Sequence, residues 1–338
     1  MKKSYELDMC NGPILGKILV FAIPLMISGI LQLLFNAADI IVVGRFTGSQ
    51  ALAAVGSTSA LINLIINLFI GVSVGANVVV ARNYGAKDYD GIHGAVHTSV
   101  LTAIWGGIIL IFVGILLARP MLEMMGTPED VIDLSVLYMR IYFVGMPAFM
   151  MYNFGAAILR AIGDTKRPLY FLTLSGVVNV VLNLFFVIVF HMGVAGVALA
   201  TIISQAISAF LIILCLMKMD GPCHLDFKHL KFHPEQLKSM LRIGLPAGLQ
   251  GAIFSISNVL IQSSVNSFGS QVMAGNTAAG NIEGFVYNSM NAVYQTSLSF
   301  TSQNMGAKKF DRINKILFQC LLVVTAIGLV MGGGAYLL

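Results

Sequence analysis

The sequence predicts an all-α polytopic membrane protein. Of its 338 residues, 57% are hydrophobic and 10% are charged, with a mean hydropathy of +0.86. This composition is typical of polytopic membrane proteins and differs from that of a soluble domain. Apolar segments long enough for a membrane helix recur along the chain. The C-terminal part of the chain also resembles the N-terminal part, which predicts an internal repeat.

Nine segments are predicted to span the membrane. A bilayer core about 30 Å thick requires roughly 20 residues of helix. The predicted spans are 14–44, 50–81, 93–118, 131–159, 168–190, 193–217, 238–267, 271–303 and 312–338. Several are longer than required, so those helices must tilt, bend or extend beyond the hydrocarbon. The first is expected to be retained, because its apolar run is too long for a signal peptide.

The basic residues predict the orientation of the chain in the membrane. With the N-terminus inside, seventeen of the 20 Lys and Arg residues fall in cytoplasmic segments, whereas Arg45, Arg119 and Arg140 fall outside. This bias predicts a multi-pass protein of the plasma (inner) membrane with a cytoplasmic N-terminus. The net charge of +5 then reflects topology and contact with anionic lipid of the bilayer, so no nucleic-acid partner is expected.

One long polar segment, KMDGPCHLDFKHLKFHPEQLK at 218–238, separates six predicted spans from three. The predicted domains are an N-terminal six-helix lobe at 1–217, a cytoplasmic linker at 218–237 and a partial C-terminal lobe of helices 7 to 9 at 238–338. The linker histidines are interpreted as part of a solvated segment, with a metal site as the alternative. The four cysteines lie far apart without a C-x-x-C pair, so no disulfide framework or zinc site is predicted.

The internal repeat relates the two ends of the chain. Ile23-Pro24, Asn36, Phe46, Gly48-Ser49-Gln50 and Asn83-Tyr84-Gly85-Ala86-Lys87 correspond to Leu245-Pro246, Asn258, Phe268, Gly269-Ser270-Gln271 and Asn304-Met305-Gly306-Ala307-Lys308. The offset is 222 residues, and 221 after one gap. Because six is even, two six-span units would be parallel, related by an axis along the membrane normal. The second unit has about three spans, which predicts a truncated C-terminus; a naturally short protein is the alternative.

Five segments of the sequence carry a family resemblance. They are GKILVFAIPLMISGILQLLFNAADIIVVGRFTG, ARNYGAKD, LRAIGDTKRP, NVVLNLFFVIVFHMGVAGVALATIISQ and QNMGAKKFDRI. These segments resemble the multidrug and toxic compound extrusion (MATE) family, in the DinF-like bacterial branch of the multidrug/oligosaccharidyl-lipid/polysaccharide flippase superfamily. The resemblance covers nearly the whole chain and implies two parallel repeats of six transmembrane helices.

Six of the nine predicted spans have a polar face at helical spacing. The members are Ser28, Gln32, Asn36 and Asp39; Ser59, Asn63 and Asn67; Ser175, Asn179 and Asn183; Thr201, Gln205 and Ser208; Asn258, Gln262 and Asn266; and Asn276, Gly280, Glu283, Tyr287, Asn291 and Gln295. Polar groups facing lipid would lose hydrogen bonds at high cost, so these faces should point inward. We favour a wet central cavity over the alternative, interhelical hydrogen bonds worth about 0.6 kcal/mol each.

Asp39 is the candidate ion-coupling residue. An acid at a helix centre costs roughly 2.5 to 3.5 kcal/mol on insertion scales, and such acids are functional by default. The alternative is a semi-exposed residue near Arg45, but a spacing of six does not place two residues on one helix face. The second repeat has Ile261 at the equivalent position, so coupling is assigned to the first lobe. The carboxylate could accept a proton or hold Na⁺, and no other cofactor is expected.

The MATE resemblance implies the neighbours of this acid. In that family the matching aspartate is joined by an Asn-x-x-x-Asp pair of the fifth helix and a threonine of the sixth, which correspond here to Asn179, Asn183 and Thr201. Asn183 departs from the pattern because it is an amide. The site would therefore carry one negative charge, which allows H⁺ or Na⁺ but weakens the expectation of strong Na⁺ binding.

A substrate cavity is predicted from polar side chains interleaved with adaptable apolar ones, which suits loose specificity for amphipathic cations. Its predicted members are Gln32, Asn36, Asn63, Asn67, Tyr142, Met146, Asn258, Gln262, Glu283 and Tyr287. Glu283 is a candidate for binding a cationic substrate or a second proton, with a structural role as the alternative. Pro24 and Pro246 are predicted hinges, because proline removes a backbone hydrogen bond within a span.

Together these features predict a monomeric antiporter, coupled to H⁺ or Na⁺, that exports amphipathic, cationic drugs or toxic compounds by alternating access of two lobes. The alternative is a flippase for a lipid-linked oligosaccharide, which would favour a cavity rich in Arg and Lys. The sequence contains no H-E-x-x-H motif, serine-base constellation or intramembrane histidine cluster, so no enzyme activity, catalytic residue or metal site is predicted. It also lacks a G-x-x-x-x-G-K-[ST] motif, so an ion gradient should supply the energy.

Overall fold

The computed structural model describes residues 5–266 and 270–337, apart from the side chains at positions 60, 259, 262, 263, 266, 270–275, 277, 278, 281 and 335–337. This described part contains ten α-helices and no strand, in agreement with the all-α prediction. The helices are α1 (Ile14–Phe46), α2 (Ser49–Ala86), α3 (Tyr89–Met124), α4 (Glu129–Val144), α5 (Met146–Ala161), α6 (Lys166–Leu184), α7 (Gly193–Met217), α8 (Pro234–Asn266), α9 (Ser270–Gly306) and α10 (Phe310–Leu337).

Six of the described helices are long and apolar enough to cross a membrane: α1, α2, α3, α6 with the π-helical turn that follows it, α7 and α10. The α4–α5 pair makes a seventh span if it is counted as one. The helices α8 and α9 coincide with the predicted spans 238–267 and 271–303 but are not in this set. The layout of nine spans in two parallel repeats therefore stays a prediction.

The predicted fourth span, 131–159, consists of two helices. α4 and α5 are bent by 49° relative to each other, and Gly145 lies between them. Pro147 follows at the start of α5. Since proline lacks an N–H and fits the first turn of a helix better than its interior, it favours a new helix here over continuation of α4.

Two clusters of buried side chains hold the helices together. The larger extends from the end of α1 through α2 to α7 and on to the linker and the start of α8, with Met139, Phe143 and Phe154 fully buried. The smaller joins α1 to the C-terminal helices, where the rings of Phe21 and Phe300 meet edge to face with centroids 5.6 Å apart. The first helix thus packs partly on α9 and α10 as well as on the N-terminal helices.

Two glycines allow α2 and α9 to approach closely. A Cβ atom on Gly85 would lie 1.9 Å from the carbonyl oxygen of Gln303, and one on Gly306 would lie 1.9 Å from that of Arg82. Neither distance is possible for a larger residue without moving the backbone. Gly85 and Gly306 are related by the 221-residue offset found in the sequence, and so are Arg82 and Gln303. Each helix therefore places the equivalent glycine against the equivalent position of the other.

The linker packs against α3 over part of its length, whereas a solvated segment was predicted. The backbone N–H of Asp226 donates to His97 Nε2 (3.3 Å), and the backbone N–H of His233 donates to Thr98 Oγ1 (3.1 Å). Leu225 and Cys223 are buried. Among the residues that the structure describes, no group of three His, Cys, Asp or Glu side chains is arranged to hold a metal ion.

Candidate functional site

A cavity of about 400 Å³ lies between α1, α2, α5, α6, α7 and α9. The polar faces of four helices line it, because residues three or four positions apart share one side of a helix. Its polar lining from these helices is Ser28, Gln32, Asn36 and Asp39 of α1, Ser175 and Asn179 of α6, Thr201, Ser204, Gln205 and Ser208 of α7, and Asn288, Asn291, Tyr294 and Gln295 of α9.

The four predicted coupling residues form one chain of hydrogen bonds. Asn183 Nδ2 donates to the carboxylate of Asp39 and also contacts Asn179 Oδ1 (3.3 Å). Asn179 Nδ2 donates in turn to Thr201 Oγ1 (3.5 Å). Three helices, α1, α6 and α7, therefore meet at this point. The four-residue spacing of Asn179 and Asn183 places both amides on the face of α6 that meets α1 and α7.

The chemistry of this cluster suits a small cation. Asn183 Oδ1 is buried and has no hydrogen-bond partner among the described residues, and such an acceptor is costly unless something binds it. Within the same part of the chain no ion pair joins Asp39 to a basic side chain. A carboxylate beside amide and hydroxyl oxygens can accept a proton or bind Na⁺, because hard cations prefer oxygen ligands.

The structure places the predicted substrate residues in different surroundings. Gln32 and Asn36 line the cavity beside Asp39. The others lie outside its lining: Met146 is fully buried in the core, Tyr142 packs on the core and stacks on Tyr138, Asn67 donates to Ser255 of α8 (3.0 Å), and Asn63, Asn258, Glu283 and Tyr287 are exposed. The side chain of Gln262 is outside the described residues. Of the predicted hinges, Pro24 is buried in α1 and Pro246 is exposed in α8.

Arg160 lines the cavity, whereas the basic-residue pattern predicts it in a cytoplasmic segment. The predicted span ended at position 159, whereas α5 continues to Ala161. Tyr152, Ala156 and Arg160 follow each other at intervals of four residues and all line the cavity. This spacing in the sequence could have identified Arg160 as a member of the inward face.

Comparison with known proteins supplies the family. The MatE family profile matches residues 24–185 and 246–335, which is more than half of the chain. The chain belongs to the MatE family. This MatE chain is 31% identical over 305 residues to "Probable multidrug resistance protein YoeA" of Bacillus subtilis (strain 168), covering 88% of the chain and 66% of the relative. It is 29% identical over 306 residues to "Probable multidrug resistance protein YpnP" of the same organism, covering 90% and 68%.

The MatE chain thus spans about two thirds of the length of these two relatives. Its fold also matches a solved structure described as the outward-facing conformation of a multidrug resistance MATE family transporter of the MOP superfamily, with a TM-score of 0.90 and 26% identity over 98% of this chain and 73% of that one. The family is one of transporters, not enzymes. With the apolar helices described above, this makes the chain a multi-pass membrane protein.

Proposed function

We propose that this MatE protein exports small amphipathic compounds from the cell by alternating access, coupled to H⁺ or Na⁺ at Asp39. The proposal includes the DinF-like branch, a monomer, and a plasma membrane location with a cytoplasmic N-terminus. The observation that carries it is the cavity in which polar faces of α1, α6, α7 and α9 meet an acid. The names of the relatives, which refer to multidrug resistance, support it.

Ion binding at Asp39 changes the contacts of α1. A protonated or Na⁺-bound carboxylate is a weaker acceptor for Asn183 Nδ2 than a free one, since charge-assisted hydrogen bonds are the stronger kind. This weakens the contact between α1 and α6. α1 contains Pro24 about four turns before Asp39, and proline allows a helix to bend. In the proposed cycle α1 bends, the cavity narrows and the substrate leaves on the outer side.

Contacts between the first lobe and α9 support two alternating states. Ser299 Oγ donates to Asn77 Oδ1 (3.1 Å), and Gln303 Nε2 donates to the carbonyl oxygen of Ala161 (2.7 Å). Both contacts lie toward the end of the bundle where α1 begins, which is the predicted cytoplasmic side. Their rupture would open the cavity inward, and their return would restore the present state.

Drug export is preferred over the flippase alternative because of the charges in the cavity. Among the described lining residues the charged side chains are Asp39 and Arg160. A binding site for the pyrophosphate of a lipid-linked oligosaccharide would require several cationic groups. A single arginine does not supply them.

The test is export of ethidium from cells that produce the protein, measured by fluorescence with and without an uncoupler of the proton or sodium gradient. Asp39→Asn should reduce export at least about tenfold, because an amide cannot exchange the coupling ion. Asp130→Asn, an exposed acid at the start of α4, is the control and should export like the parent. Export by Asp39→Asn at the parental rate would refute coupling at this residue.

A further inference from the structure

We propose that Arg160 forms a separate subsite in the cavity that binds an anionic group of the transported compound. This inference rests on the proposed export function and adds to its substrates amphipathic compounds with a carboxylate or a similar anion. Zwitterionic compounds gain affinity from this subsite, whereas purely cationic compounds such as ethidium bind the cavity without it. It extends the sequence-based expectation, in which the substrates are cationic.

Arg160 has more hydrogen-bond donors than it uses with the described residues. A guanidinium carries five N–H donors, and in the described part of the chain the side-chain hydrogen bond of Arg160 is that from Nη1 to Gln295 Oε1 (2.8 Å). No ion pair joins it to a carboxylate there. Because Arg160 is half-buried and lines the cavity, a ligand in the cavity can reach its guanidinium.

The position of Arg160 is not explained by helix capping alone. A basic residue in the last turn of a helix stabilises the partial negative charge of that helix end, and Arg160 lies in the last turn of α5. Its guanidinium, however, extends across to α9 and bonds the Gln295 side chain. A half-buried arginine whose side-chain partner is a neutral amide is costly unless a further group pairs with its charge.

Arg160 and Asp39 are too far apart to neutralise each other. Along α9, Gln295 lies between Asn288, which contacts Gly29 of α1, and Phe300, which contacts Phe21. Arg160 is therefore level with the early part of α1. Asp39 lies ten residues beyond Gly29, or about 15 Å at 1.5 Å per residue. At that distance in a wet cavity the two charges interact weakly, so each is available to a different group.

The cavity that contains Asp39 and Arg160 fits an amphiphile with an anionic end. Between them the cavity presents amides, hydroxyls and the apolar side chains of Phe35, Phe149 and Leu172. Aromatic and aliphatic surfaces of this kind accept the body of a drug-sized molecule, and a few polar groups orient it. Arg160 supplies the planar donor set that carboxylates bind in bidentate fashion.

The experiment compares norfloxacin, which carries a carboxylate, with its methyl ester, which does not. Both are titrated against the purified protein in phosphatidylcholine nanodiscs, and ethidium is titrated as a cationic reference. The parent should bind norfloxacin about tenfold more tightly than the ester, equivalent to about 1.4 kcal/mol. Arg160→Gln should lower the affinity for norfloxacin by about the same factor and leave the affinity for the ester within about twofold of the parent's.

Two further variants serve as controls for the affinities of Arg160→Gln. Arg160→Lys retains the charge and should keep part of the preference for norfloxacin. Arg140→Gln removes an exposed arginine of α4 outside the cavity and should match the parent. The ratio of the two affinities within one preparation does not depend on its active fraction.

Equal weakening of both ligands by Arg160→Gln would overturn the inference, because it would indicate that Arg160 only joins α5 to α9 through Gln295. A parent that binds ethidium but does not distinguish norfloxacin from its ester would also overturn it, while leaving the export proposal intact. A parent that binds none of the three compounds would refute the export proposal itself and the inference with it.

Discussion

Asn183 lies between Asp39 and Asn179 and contacts both, so its chemistry sets the charge of the proposed coupling cluster. As an amide it donates to the carboxylate and adds no charge. The MATE resemblance implies an acid at this position, so the cluster differs from the family pattern by an amide in place of a carboxylate. The number of carboxylates would decide the strength of the proposed Na⁺ binding, because each adds a negative oxygen ligand.

Asn183→Asp should convert the cluster to a stronger Na⁺ site. A second carboxylate within about 4 Å adds a large Coulombic attraction for a cation, so the Na⁺ concentration for half-maximal ethidium export should fall at least about tenfold. Export is measured at constant pH while Na⁺ replaces choline. Asn153→Asp is the matched control, since Asn153 lines the cavity but is not in the hydrogen-bonded cluster. The same Na⁺ response in both variants would contradict this role of Asn183.

Close packing of α2 on α9 depends on glycine at one position of each helix. Gly85→Ala should destabilise the protein by about 1 to 3 kcal/mol, because the added methyl group has no space beside the Gln303 carbonyl. Thermal unfolding in detergent measures the change. Gly56→Ala, in the same helix but with no atom within 4 Å of the added carbon, should be neutral or stabilising by up to about 1 kcal/mol. Equal stability of the two variants would refute the packing argument.

Bending of α1 at Pro24 is the proposed element-level response to ion binding. Pro24→Ala should lower the rate of ethidium export about tenfold or more and leave ethidium affinity within about twofold, because the binding groups remain while the bend is lost. Export from cells and binding to purified protein measure the two quantities separately.

Pro120→Ala is the control for this hinge. Pro120 also lies inside a helix, α3, but it is exposed and outside the cavity. Pro120→Ala should therefore have little effect on ethidium export. If Pro120→Ala slows export as much as Pro24→Ala, or if Pro24→Ala exports normally, α1 bending at Pro24 is not part of transport.

Alternating access requires the contacts between the first lobe and α9 to break and reform. In a variant whose four cysteines are replaced by serine, Asn77→Cys with Ser299→Cys places two thiols where side chains now meet at 3.1 Å. Oxidation should join α2 to α9 through a disulfide and lower ethidium export at least about tenfold, because the linked interface cannot open. A reducing agent should restore export.

A second cysteine pair controls for oxidation itself. Ser57 and Ser135 meet at 3.2 Å within the first lobe, and a disulfide between cysteines at these positions would leave the movement of the lobes free. Export should therefore survive oxidation in that variant. Normal export by the oxidised Asn77→Cys, Ser299→Cys protein, with the cross-link verified by mass spectrometry, would rule out this motion.

At the scale of the whole molecule, the sequence by itself determined the fold class and the faces of the helices. Apolar composition and the length of apolar runs require membrane helices, and a period of 3.6 residues places Ser28, Gln32, Asn36 and Asp39 on one side of α1. Both are local properties that can be read without knowing any neighbour. The coupling partners Asn179, Asn183 and Thr201 came from the family resemblance, and the structure brings them together with Asp39.

Only the tertiary structure decided which polar faces share a cavity. The faces of α1, α6, α7 and α9 meet there, whereas Glu283 and Tyr287, on the same helix as Gln295, remain exposed outside it. In the structure α5 also extends to Ala161, which brings Arg160 into the cavity lining, and the predicted fourth span is divided at Gly145. These outcomes depend on how far each helix extends and which helix packs against it. Several of these contacts join residues more than a hundred positions apart, as Arg160 and Gln295 are, and local periodicity does not show which helices will meet.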